Sequence, residues 1–99
     1  MVKWSAPARN DLKQIHDYIT KDSKYYARRV IQEIIEKTEK LIEHPEIGRI
    51  VPEVSDQNVR ELIVYSYRLV YEISAGRIQI LAVIHGKRDF NSAWDERDH

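Results

Sequence analysis

The sequence predicts an α+β domain in which a short N-terminal strand and an antiparallel helical hairpin pack on a small antiparallel β-sheet. Two periodicities and one length predict it. Apolar residues recur every three or four positions through the first 42 residues, as a helix buried along one stripe requires. From Asn58 to His85 they recur at every second position, the period of a half-buried strand. A chain of 99 residues supports a single core, so the helices and the sheet must bury one another.

The elements follow in order. Val2 and Trp4 point to one side of an extended segment, which reads as a brief strand joining the sheet at an edge. Ser5 suits a helix cap, and Pro7 suits a first turn whose N–H groups have no intrahelical partner. Ala8, Leu12, Ile15 and Ile19 then draw one apolar stripe, with Asp11, Lys13, Gln14 and Asp17 facing outward. The polar break Thr20 to Lys24 offers Asp22 or Ser23 as the next cap.

The second helix carries a wider stripe of Ala27, Val30, Ile31, Ile34, Ile35, Thr38, Leu41 and Ile42, and His44-Pro45 ends it. Tyr25 and Tyr26 at its start suit a partner surface. The connection 45–57 (PEIGRIVPEVSDQ) is long for so small a domain. Ile47, Ile50 and Val51 are expected to pin it to the core, and Arg49 is its one residue of site chemistry.

A two-residue loop at Ala75-Gly76, where Gly76 can take a positive φ, closes a hairpin. Tyr67 then lies opposite Ile84, Leu69 opposite Ala82, Tyr71 opposite Ile80 and Ile73 opposite Ile78, so one face is wholly apolar. The same register puts Arg68 beside Val83 and brings His85 diagonally next to it, with Lys87 continuing on that side. Arg60 joins them or not according to whether the turn at Tyr65-Ser66 has two residues or three. Two readings of this second face stand: a solvated face with Arg68 paired to a carboxylate, or a cationic site; the first is the commoner.

Composition narrows the classes. Sixteen basic and sixteen acidic residues cancel, so no global field points to nucleic acid. Residues 60–88 nevertheless carry five cations against two carboxylates, and the last eleven residues carry four carboxylates against one cation. The absence of cysteine excludes disulfides and thiolate metal sites, and His16, His44, His85 and His99 are too scattered for a zinc set; no metal and no cofactor are expected. No apolar run is long enough for a membrane span or a signal peptide, which makes the cytoplasm the expected compartment.

The opening VKWSAPARNDLKQIHDYI, the helix-end HPEIGR, the VREL strand, YRLVYEI and the closing ILAVIHGKRDF occur in an order and at distances that resemble the RelE/ParE superfamily of type II toxin-antitoxin toxins. The resemblance implies a helical hairpin against an antiparallel sheet, growth arrest, and a hetero-oligomer with a cognate antitoxin. ParE-like members are described as DNA gyrase inhibitors without established catalytic residues. RelE-like members cut mRNA in the ribosomal A site.

Carried over to this chain, the RelE-like site implies Arg68, His85 and Arg88 as catalytic groups with Arg60 beside them; Lys87 and Arg49, from their places in the chain, and Trp94, from the C-terminal segment, are the further candidate binding residues. Two positions depart from that site: Leu62 stands where a lysine is common, and Trp94 where a tyrosine is common. Trp94 has no hydroxyl to exchange a proton. The ParE-like reading, inhibition of gyrase, is therefore the expectation, with the ribosome-dependent endoribonuclease as its alternative. An antitoxin is expected to cover apolar surface beside the helical hairpin or to add a strand to a sheet edge.

Overall fold

The computed structural model describes residues 2–95. The chain runs β1 (Val2–Trp4), α1 (Ala6–Thr20), α2 (Lys24–Lys40), β2 (Arg49–Ile50), β3 (Val59–Val64), β4 (Tyr67–Ser74), β5 (Arg77–His85) and α3 (Phe90–Asp95). His99 and the charged residues Glu96, Arg97 and Asp98 lie outside the described residues. The five strands form one sheet in the order β1-β5-β4-β3-β2. The helical hairpin covers one face, and α3 with part of the 45–57 connection covers the other.

The helices start where their caps dictate. Ser5 Oγ accepts from Ala8 N at 3.1 Å, and Ser23 Oγ, rather than the Asp22 carboxylate, accepts from Tyr26 N at 3.0 Å. α2 stops at Lys40, short of His44-Pro45, and the chain turns with Leu41 fully buried. Its stripe is only partly covered: Ala27, Val30, Ile34 and Thr38 are buried, whereas Ile35 and Ile42 are 40% and 57% exposed.

The fold class is α+β as expected, and β1 does join at an edge. It runs parallel to β5, pairing Val2 with Ile78 and Trp4 with Ile80, so the sheet is mixed rather than wholly antiparallel. A period of two is silent on strand direction.

The hairpin begins as expected and then departs. Ala75 and Gly76 both take positive φ, and Ile73 faces Ile78 and Tyr71 faces Ile80. A bulge lies between the pairs Tyr71–Ile80 and Val70–Ala82, leaving Leu81 as the extra residue. Every β5 residue beyond it changes face: Val83 pairs with Leu69, Ile84 with Arg68 and His85 with Tyr67. The expected pairs Tyr67–Ile84 and Leu69–Ala82 therefore do not form. Ala82 and Ile84 belong instead to a second core with Val51, Val59, Val70, Phe90 and Ala93.

Helix α1 serves the edge of β5 beyond the end of β1. Val83 N donates to Asp11 Oδ2 at 2.9 Å, and Ser5 Oγ donates to Leu81 O at 3.4 Å. Asp11, expected to face solvent, is half-buried in this role.

The 45–57 connection is seated on the sheet. Gly48 N donates to Tyr71 Oη at 3.0 Å, the same hydroxyl donates to Pro45 O at 2.7 Å, and Arg60 Nη1 donates to Gly48 O at 2.9 Å. Val51 is buried as expected, its N–H bonded to Val59 O at 3.1 Å. Ile47 and Ile50, expected beside it, are 54% and 41% exposed, because the chain touches the sheet only over the two residues of β2. A Cβ at Gly48 would lie 2.6 Å from both Glu61 O and Tyr71 Oη. Gly48→Ala should therefore destabilise the domain by about 1–3 kcal/mol through overpacking. Tyr71→Phe, which strands the buried Gly48 N–H and the half-buried Pro45 carbonyl, should cost about 1–3 kcal/mol. Thermal melts check both, and an unchanged midpoint in either variant would mean that the connection is not held on Tyr71.

Candidate functional site

The second face of the sheet is built on the carboxylate of Glu61, whose side chain is 0% exposed in the middle of β3. A carboxylate so placed needs cations and hydrogen bonds on site. Arg68 supplies both from β4: Nε donates to Oε1 at 2.5 Å and Nη2 to Oε2 at 3.1 Å. Arg49 on β2 donates its Nε to Oε2 at 2.7 Å. The remaining edge of the Arg68 guanidinium is held by Glu53, with Nη1 on Oε2 at 2.9 Å and Nη2 on Oε1 at 2.7 Å. The guanidinium carbon lies 4.3 Å from the centroid of the Phe90 ring, and Trp94 stacks on that ring at 5.6 Å and 17°.

Electrostatics follow from these contacts. Hydrogen bonds from Arg68 hold the Glu53 carboxyl well below its ordinary range, at about 2. Hydrogen bonds to Glu53 and then Glu61 raise the Arg68 guanidinium further above its usual value. Four charge-assisted bonds to two carboxylates leave Arg68 occupied rather than poised.

The bulge at Leu81 separates the residues the sequence brought together. His85, expected diagonally next to Arg68, pairs with Tyr67 on the helix-covered side, edge-on to its ring at 5.2 Å and 87°. Its Nδ1 accepts from Lys87 N at 3.1 Å, which assigns the proton of the neutral ring to Nε2. Arg88 lies on this side too, in a groove of about 490 Å³ shared with Asp11, Tyr18, Tyr67 and His85. Burial, then the neighbouring Tyr18 and Tyr26, pushes the Tyr67 hydroxyl up from its ordinary pKa, so it is no base near neutrality.

At the open end of the sheet, Arg49, Ile63, Tyr67, Arg68, His85 and Lys87 line a shallow groove of about 390 Å³. This is the nearest approach to the expected cluster. Arg60 is not part of it. The Tyr65-Ser66 turn has two residues, so Arg60 pairs with Tyr71 on the helix-covered face and clamps the connection. Trp94 stacks on the Phe90 ring, the same ring that the Arg68 guanidinium lies over. Among the described residues no group of three or more histidines and carboxylates could hold a metal ion, and no helix is long and apolar enough to cross a membrane.

Glu53 and Glu61, the two groups that define the state of Arg68, were missed. Glu61 alternates with the apolar residues of VREL and faces inward on the second side, which is legible once that side is known to have a core of its own.

Two outcomes test this network. Arg68→Ala should destabilise the protein by about 3–5 kcal/mol, towards the lower figure because Arg49 remains on Glu61. The Glu53 pKa is depressed in the folded state, so its contribution is complete above the ordinary carboxylate value of 4.5 and is lost as pH falls towards about 2. The thermal midpoint should fall over that window, and by less in Glu53→Gln. Identical pH profiles for the two proteins would contradict the assignment.

The chain matches one family model, the ParE toxin of type II toxin-antitoxin system, parDE, over residues 2–90. No curated protein matches it. Among solved structures, the chromosomal ParDE toxin-antitoxin system from P. aeruginosa is similar with a TM-score of 0.70 and 25% identity, covering 85% of this chain and 92% of that one. The isolated E. coli RelE toxin is similar in fold, with a TM-score of 0.62 and 15% identity over 97% of this chain and 96% of that one. Family match, element order and sheet agree, and the chain belongs to the ParE toxins of type II toxin-antitoxin systems.

Proposed function

We propose that this toxin arrests growth by inhibiting DNA gyrase in the cytoplasm, and that a cognate antitoxin neutralises it in a hetero-oligomer. The observation that carries the choice of a protein target is the state of Arg68. Cleaving RNA through its 2′-hydroxyl needs a base, cations on the phosphorane and an acid for the leaving oxygen. Here a phosphate reaching Arg68 would have to displace Glu53 or Glu61, and His85 and Arg88 project from the opposite face. Leu62 faces the helical core and Trp94 stacks on Phe90, so neither supplies the polar group that an RNA-cutting site needs.

One observation favours the alternative, a ribosome-dependent mRNA endoribonuclease using Arg68, His85 and Arg88. The groove at the open end of the sheet does collect Arg49, Lys87 and His85 beside Arg68.

Two assays separate the readings. Purified toxin should inhibit gyrase supercoiling, and induced cells should stop growing with their mRNA intact. His85→Ala and Arg88→Ala should both still arrest growth. New 5′ ends in translated regions that disappear in His85→Ala, together with unaffected gyrase at high toxin concentration, would move the assignment to mRNA cleavage.

A further inference from the structure

Tyr71 aside, every tyrosine of the chain gathers where α1 gives way to α2 and β3 turns into β4. Tyr26 meets Tyr65 edge-on, with ring centroids 6.2 Å apart at 75°. Burial, then the nearness of Tyr18 and Tyr26, raises the Tyr67 hydroxyl, so these three rings are neighbours as well. Cations are set among the rings. Arg29 Nη1 donates to Tyr25 Oη at 3.4 Å and interacts electrostatically with Tyr65, and Lys21 Nζ stands 6.0 Å from the centroid of the Tyr18 ring.

Packing does not account for this surface. Tyr67 packs against the helical core, but Tyr18 and Tyr25 are 69% and 67% exposed, and Tyr26 and Tyr65 are close to half exposed. A solvated helix face needs no large rings. Rigid rings with a polar tip, set among arginines, are the side chains that carry binding energy at protein interfaces.

Charge and backbone select the occupant. Tyr25, Arg28 and Arg29 wall a groove of about 370 Å³ on the outer face of α2, and among the described residues neither Lys24 nor Arg28 has a carboxylate partner. The carboxylates nearby are engaged within the chain, Glu33 with the Tyr65 hydroxyl, Glu36 with Gln32 and Asp17 with His16, which leaves Asp22 against four cations. An acidic surface fits this balance, whereas a second copy in a symmetric contact would set these cations against their own kind. The backbone of α2 is spent inside the helix. An extended antitoxin segment finds no strand edge here and a groove walled by arginines, so recognition is by side chains, as between folded proteins.

We propose that this tyrosine and arginine surface is where the toxin grips its protein target, an acidic face of folded gyrase. Tyr18 and Tyr25 are buried in the contact, and Lys24 and Arg28 meet carboxylates of the target. The inference rests on the gyrase reading above and assigns that reading its contact surface on the toxin.

The test measures how much purified toxin halves the supercoiling of relaxed plasmid by purified gyrase. It compares wild type with Tyr18→Ser/Tyr25→Ser, with Lys24→Glu/Arg28→Glu, and with Lys40→Glu, a charge reversal at the far end of α2. The replaced side chains are all exposed, so the thermal midpoints should stay close to wild type. The two surface variants should need roughly tenfold or more toxin, Lys40→Glu should inhibit as wild type does, and all should bind the product of the reading frame adjacent to the gene equally well. Surface variants that inhibit at wild-type concentrations overturn the proposal and leave the gyrase reading standing. So do variants that still inhibit but no longer bind the adjacent product, which would make the surface the antitoxin's, and so does an equal loss in Lys40→Glu. Wild-type toxin that leaves gyrase unaffected removes the gyrase reading and this proposal together.

Discussion

A carboxylate without exposed surface sits in the middle of β3, and most of what distinguishes the second face follows from it. Left unpaired, Glu61 would be too costly to keep charged inside the domain. Arg68 from β4 and Arg49 from β2 meet it with three hydrogen bonds, so one buried anion ties three strands together. Glu53 then closes over the outer edge of Arg68, which seats the connection between α2 and β3. Phe90 packs beneath the guanidinium and Trp94 stacks on Phe90, so α3 is held against the same ion network. A residue whose type suggests phosphate chemistry is thereby the keystone of a packing arrangement.

The bulge at Leu81 decides where the remaining site residues go. Without it, β5 would present His85 beside Arg68 and a single apolar face towards the helices. With it, Val83 turns towards the helices, Ala82 and Ile84 build a second core, and His85 and Arg88 move to the side of α1. Asp11 accepts from Val83 N and so occupies the strand edge that the short β1 leaves uncovered. The cations that the sequence gathers in one segment are thus divided between two surfaces.

This also explains which parts of the molecule could be read from the chain. Ser5, Ser23 and the Ala75-Gly76 loop act on neighbours a few residues away, and local chemistry was enough to find the helix starts and the hairpin. Tyr71–Ile80 and Ile73–Ile78 lie close to that loop and keep its register. The residue after the bulge, Val83, bonds to Asp11, 72 positions away, and no local pattern announces either feature. Arg68 illustrates the same boundary. Its reading as an ion-paired residue was open from the sequence, but its partners are seven and fifteen positions away and become neighbours only through the fold. β2 is too short for a period of two to be visible, which is why Ile50 looked like a core residue.

The bonds of Arg68 to Glu61 and Glu53 give it a role in the fold, and the proposed function needs no other from it. Replacing a buried ion pair by apolar groups of similar volume is often tolerated, whereas removing one partner is not. Glu61→Leu combined with Arg68→Met keeps the shape of the site and removes its charge chemistry. The measurement to make is growth arrest by this double variant, alongside its thermal midpoint. A folded protein that still arrests growth is the expected result. A double variant that melts like the wild type yet has lost all toxicity would contradict it and return Arg68 to a catalytic role.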